Sequence, residues 1–274
     1  MNWWRKSLLV VGLAALVAGT PGCGFINKLR AKDSLNEGVR EFNKGRFDLA
    51  REKFQRALDL APDLTNAQLY YARSVNALFD QNLTEGLGRD TIAAYETIVQ
   101  KNQNNPKAVD QAYAFEAKVY EQMARMTPDK ADSYKQKARE SLLKRADLSG
   151  EAATKAAVFY TIGQGYWQES YDLSRPYLKL VGASQQQLPI PANVSDKMKP
   201  IITKGHEYLQ KAISIKADYA DAWIYEKLIY IEERKIESNP QRKTDIDKQI
   251  DVSDKNYKKF HEQQAAAAGG QSGT

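Results

Sequence analysis

Few residues in this chain have side chains suited to covalent or metal chemistry. One cysteine, Cys23, and two histidines, His206 and His261, stand among 274 residues. A single cysteine excludes an internal disulfide and any multi-cysteine zinc site. Neither histidine belongs to a His-Glu-x-x-His pair, so no metal is expected, and His206 beside Glu207 and Tyr208 reads as helix surface. Gly163-Gln164-Gly165 is the nearest approach to a phosphate loop. It lies inside a helical pattern without the Lys-Ser/Thr that a phosphate cradle needs, and close helix packing explains it better. There is no Gly-x-Ser-x-Gly elbow, and no carboxylate pair that spacing alone places in a cleft. The expectation is a chain that is not an enzyme, with no catalytic residue, no metal and no cofactor.

Cys23 has the most informative position. Met1-Asn2-Trp3-Trp4-Arg5-Lys6 opens the chain, an apolar run follows from Leu8 to Val17, and Ala18-Gly19-Thr20-Pro21-Gly22-Cys23 closes the segment. A basic start, a short apolar run and small residues make a secretory signal peptide over residues 1–22, with a run too short to span a bilayer comfortably. With Gly22 just before the thiol, the layout resembles a bacterial lipoprotein signal, whose cleavage leaves a lipid-modified cysteine as the new first residue. Thr20 and Pro21 depart from that pattern, which keeps open an ordinary signal peptide or an uncleaved anchor reaching Ile26. The resemblance implies export, lipidation of Cys23, and a linker over residues 23–30 that holds the rest near a membrane. Gly24 in place of Asp implies the periplasmic face of the outer membrane.

The body must supply whatever else the protein does. Apolar residues make up 42% of the chain and charged residues 27%, enough for a core with a solvated surface. The net charge of +6 comes without a Lys/Arg tract, so nucleic acid is not an expected partner. After Cys23, long stretches lack Gly and Pro and place apolar residues at helical spacing. The segment Ala31–Leu64 reads as one complete unit. Gly38 stands in a first helix and Gly45-Arg46-Phe47 makes a turn. Ala50, Phe54 and Ala57 step along a second helix, and Pro62 closes the unit and starts the next helix. Small Gly38 and Ala50 let the two helices cross closely, and Phe54 fills the space between hairpins.

Parts of this pattern return. Ala94, Ile98 and Pro106 repeat the second-helix spacing, as do Leu209, Ala212 and Ala217. Phe159, Ile162, Gly163 and Tyr166 repeat the first, Trp223 and Tyr230 open another, and Ala112, Phe115, Val119, Ala138 and Leu142 form a weaker unit. The sequence resembles a tetratricopeptide repeat (TPR) protein, built from helix-turn-helix units of about 34 residues. The fold expected is all-α, a right-handed α-solenoid of about five TPR-like hairpins over residues 31–262. Surplus length predicts insertions near 80–89 and at 173–199, the latter an extended loop with Pro176, Pro189 and Pro191. Ile246, Ile250, Tyr257 and Phe260 predict an amphipathic capping helix, and residues 263–274 a disordered low-complexity tail.

In TPR proteins the first helices of successive hairpins line a concave groove. The resemblance places Leu35, Val39, Phe42, Leu69, Arg73, Asn76, Tyr113, Tyr120, Tyr160, Gln164, Trp167, Ile224 and Leu228 there. Tyr, Trp and Arg are the types that most often anchor protein interfaces. The implied function is a lipid-anchored envelope scaffold or adaptor that binds other envelope proteins as a peptide or helix in the groove. Anchor and repeat together are similar to lipoproteins of outer-membrane β-barrel assembly and of type IV pilus secretin assembly. The alternatives are a periplasmic module for peptides or glycans and a non-catalytic subunit of an envelope enzyme.

Overall fold

The computed structural model describes residues 21–181 and 184–269. The predicted signal peptide, except Pro21 and Gly22, lies outside them, and so does the Cys23 side chain. Among the described residues there are ten α-helices and one two-stranded sheet, with the helices packed in consecutive pairs. The chain divides into two compact units between Ser74 and Val75.

The first unit holds α1 (Pro21–Asn43), α2 (Phe47–Leu60) and the start of α3 (Thr65–Asn82). The turn between α1 and α2 passes through Gly45 at φ 74°, a left-handed conformation that a side chain would strain. Ala50, Phe54 and Ala57 form the fully buried stripe of α2. Phe54 lies flush against Gly38, where an added Cβ would overlap its ring, and its other face stacks on Tyr70 of α3 at 5.3 Å. The sequence reading of these small and large positions therefore holds. Two of its details do not. Residues 24–30, expected as a linker, are helical, because α1 runs without a break from Pro21. Pro62 sits in the turn before α3, where its carbonyl accepts from Gln68 Nε2 at 2.7 Å, and does not start the helix.

The second unit begins within α3 and continues through α4 (Glu85–Lys101), α5 (Pro106–Met126), α6 (Ala131–Leu148), α7 (Ala152–Ser174), α8 (Ala192–Ile215), α9 (Ala220–Ile236) and α10 (Pro240–Gly269). From α4 onward each helix packs on the next, and α7 also meets α9. Side chains cap the starts of α4 and α5. Thr84 accepts from the Leu87 amide at 3.3 Å, and Asn105 from the Ala108 amide at 3.2 Å ahead of Pro106 at the first turn of α5.

The surplus residues expected near 80–89 are mostly helical. α3 ends at Asn82 and α4 begins at Glu85, so the extra residues lengthen helices. Leu83 makes the reversal at φ 49°, a conformation that costs a non-glycine residue about 1–2 kcal/mol. The second insertion is shorter than expected and partly ordered. After a 3-10 turn at Arg175–Tyr177, β1 (Leu178–Val181) pairs antiparallel with β2 (Ser184–Gln187), Leu178 opposite Gln187. Helix α8 already covers residues 192–199, because Met198 begins the buried stripe that continues through Ile202, Gly205, Leu209 and Ala212. The tail also orders further than expected. α10 extends to Gly269, and Gln264 Nε2 donates to the Asp218 carbonyl at 3.0 Å.

The two glycines of Gly163-Gln164-Gly165 have opposite surroundings. A Cβ on Gly163 would stand 2.6 Å from Leu209 Cγ and 3.1 Å from the Leu209 backbone nitrogen, so α7 and α8 touch there. A Cβ on Gly165 would meet nothing within 4 Å. Gly163→Val is therefore expected to lower stability by about 1–3 kcal/mol through overpacking, read as a fall in thermal midpoint. Gly165→Ala should raise stability by about 0.5–1 kcal/mol by removing a helical glycine.

Candidate binding cleft

An open cleft of about 670 Å³ is bounded by α5, α6 and α7. Its buried wall is apolar, from Ala124, Ala138, Leu142 and Ile162. α7 presents Thr161, Gln164, Gly165, Gln168 and Asp172 to it, a stripe at spacings of three, one, three and four residues. That recurrence marks one face of a helix. The missing side chain at Gly165 leaves the α7 wall open at its middle.

Charges of both signs rim the cleft. Glu169 pairs with Arg139 and, at 3.6 Å, with Lys135. The Arg139 guanidinium also lies 3.9 Å from the Tyr166 ring centroid, a cation–π contact that holds it flat. Burial pushes the Glu121 carboxyl above the ordinary carboxylate range, and nearby Arg125 partly offsets that rise. Arg125 has no carboxylate within ion-pair distance among the described residues. An apolar wall with a few convergent polar groups is the usual make-up of a ligand or peptide site.

Of the groove residues expected from sequence, Gln164 alone lines this cleft. Tyr160 and Trp167 turn instead toward α9, where both meet the Tyr225 ring, at 5.5 and 5.1 Å. Gln164 joins them, donating from Nε2 to the Tyr225 hydroxyl at 2.7 Å. This aromatic group packs against the core formed by Met198, Ile202, Leu209 and Ile229. Tyr120 is buried and stacks on Tyr134 at 6.2 Å, and burial together with nearby Glu116 pushes its hydroxyl up to about 12. Tyr113 is half-buried under the Lys144 ammonium, 5.6 Å from its ring centroid. Asn76 donates to Asp80 at 2.9 Å, and Ile224 and Leu228 are half-buried on α9.

In the first unit, Leu35, Val39, Phe42 and Leu69 are half-buried. Arg73 is exposed and lies 5.5 Å from the ring centroids of both Phe42 and Tyr70. The cationic and aromatic groups expected there do come together, as a packed surface cluster.

His206 is not on a bare helix surface. Its Nδ1 lies 3.0 Å from Glu226 and its Nε2 3.2 Å from Glu233, both on α9, and its ring centroid lies 4.2 Å from that of Tyr230. Burial alone would lower its pKa, but hydrogen bonds and charge from the two carboxylates outweigh that and raise it to about 9. At neutral pH the ring is an imidazolium donating to both carboxylates. Neither nitrogen is left to accept a proton or hold a metal. Glu226 is only 3% exposed, and Glu232, buried further along α9, pairs with Lys235 at 2.6 Å. These carboxylates fall on the apolar stripe of α9, with Glu226 between Ala222 and Ile229. An acid in such a position calls for a buried cation, and that is the sequence signal for the His206 pair.

No helix among the described residues is long and apolar enough to cross a membrane. No family model matches the chain. No curated protein matches it either. Among solved structures the chain is similar to a crystal structure of MamA, at 18% identity over 87% of this chain and 94% of that one, with a TM-score of 0.45. It is also similar to TTC0263, a thermophilic TPR protein in Thermus thermophilus, at 15% identity over 81% of this chain and 98% of that one, with a TM-score of 0.41.

Proposed function

We propose that this protein is a non-catalytic scaffold that holds an extended or helical segment of a partner protein in the cleft between α5 and α7. The cleft itself carries the reading. It is open, has an apolar wall, is rimmed by both signs of charge, and has a gap at Gly165 that leaves room for a partner's side chain. The signal-like start and the position of Cys23 support a lipid anchor, with the scaffold working at the cell envelope on the periplasmic face of the outer membrane. Glycan binding on stacked aromatics is the weaker alternative, because Tyr160 and Trp167 face Tyr225 and not the cleft.

Gly165→Leu tests the proposal cleanly. The added side chain enters open space and replaces a helical glycine, so the fold should be kept or strengthened. Partner recovered from detergent-solubilised envelopes should fall at least about tenfold, the equivalent of about 1.4 kcal/mol, with no loss of thermal stability. Equal recovery by wild type and variant would remove the cleft as the binding site.

A further inference from the structure

The start of α1 presents a face that the fold does not use. Ala31, Ser34 and Gly38 are the buried positions of this helix among residues 24–43. Phe25, Ile26 and Leu29 share the opposite side, by the 3.6-residue period of the helix, and are 66%, 47% and 48% exposed. Arg30 and Lys32 border this apolar face on its two edges, with Lys28 beside Lys32. None of the three cations has an ion pair among the described residues. The charge is one-sided over a long stretch, because Asp33 is the first acidic residue of the whole chain. The apolar surface also extends past the helix. Phe25 and Leu29 wall a cleft of about 280 Å³ together with Ala61 and Leu64 of the turn that leads to α3, and Lys28, Lys32 and Asp63 line it as well.

We infer that the first turns of α1 seat on an anionic bilayer surface. Phe25, Ile26 and Leu29 enter the headgroup–acyl boundary, and Lys28, Arg30 and Lys32 meet lipid phosphates. An apolar strip flanked by snorkelling cations is the make-up of a helix that lies in the interface and does not cross it. The chemistry favours a bilayer over a protein groove, because cations border the apolar face on both sides and Lys28, Arg30 and Lys32 outnumber the exposed acids nearby, Asp33 one turn beyond Leu29 and Asp63 in the cleft. The seat does not require Cys23 to be acylated. It would hold the first unit against the membrane along the side of α1.

The test uses the full chain with Cys23→Ser and a single new thiol, Ile26→Cys, carrying an environment-sensitive fluorophore. Asp48→Cys, an exposed position on α2, is the control. Vesicles of phosphatidylcholine with or without phosphatidylglycerol carry a chain-linked quencher. The expected result is a blue shift and quenching at position 26, none at 48, and a clear preference for anionic vesicles. Lys28→Gln/Arg30→Gln/Lys32→Gln should raise the lipid concentration needed by about fivefold per cation, on the order of 100-fold together. If the chain floats with vesicles while the label at 26 stays in water, the seat is wrong. Equal quenching on neutral and anionic vesicles would also overturn the seat. A chain that does not float at all likewise overturns the seat.

Discussion

His206→Leu is expected to destabilise the second unit by about 3–5 kcal/mol, the range found when one partner of a buried ion pair is removed. The size of the effect comes from what remains. Glu226 is nearly fully buried, and one of its oxygens already has no hydrogen-bond partner in the fold, so loss of the imidazolium leaves the buried charge with the neutral Gln210 amide, 3.2 Å from the other oxygen, and no cation. Glu233 suffers less, because Arg242 also reaches it at 3.0 Å. A second substitution separates loss of the pair from loss of packing. His206→Leu/Glu226→Leu should recover most of the stability, since apolar replacement of a whole buried pair is often close to neutral. Urea unfolding of the three proteins measures this, and a double variant no better than the single one would refute the ion-pair account.

The same contact predicts a pH dependence. The imidazolium is held in the fold up to about pH 9, above the ~6.5 of a free imidazole. Its stabilisation is therefore complete below about pH 6.5 and is lost as pH rises toward 9. His206→Leu should flatten that alkaline decline.

Phe54→Ala is expected to cost the first unit about 3–5 kcal/mol, as for other fully buried phenylalanines cut to alanine. Its ring fills the space above Gly38 and stacks on Tyr70, so removal opens a cavity and breaks an aromatic pair. Amide hydrogen exchange in α1 and α2 should quicken accordingly. Phe54→Leu, which keeps most of the volume, should show a clearly smaller change.

The hairpins were legible because close helix crossing is a matter of side-chain size, and size can be read directly. Gly38 against Phe54 and Gly163 against Leu209 are two such crossings. The binding face was harder. Every first helix of a repeat packs against its own partner and against its neighbours, so spacing identifies several faces without saying which stays open. Tyr160 and Trp167 have the right chemistry for an interface but lie on the face that meets α9. The open face of α7 reads Thr161, Gln164, Gly165, Gln168, Asp172, a polar stripe without aromatic residues. Residues 80–89 read as surplus length without showing what form it takes. Surplus length need not become loop when two helices can each grow and a single strained residue, Leu83, can turn the chain. The His206 pair was missed because Glu226 on the apolar stripe of α9 signals a buried cation without saying which residue of another helix supplies it.

The neighbour-on-neighbour packing of the helices also bears on how the chain folds. From α4 onward almost every contact joins elements adjacent in sequence, and the contact of α7 with α9 reaches only one element further. Closing short loops costs little chain entropy, so assembly should be fast and can begin at any hairpin. A polypeptide that leaves a narrow translocation channel end first gains from this, because each pair of helices can bury its apolar stripe as soon as it emerges. The slowest local step should be α7 onto α8, where the β1–β2 detour separates the partners by the longest connection between paired helices among the described residues.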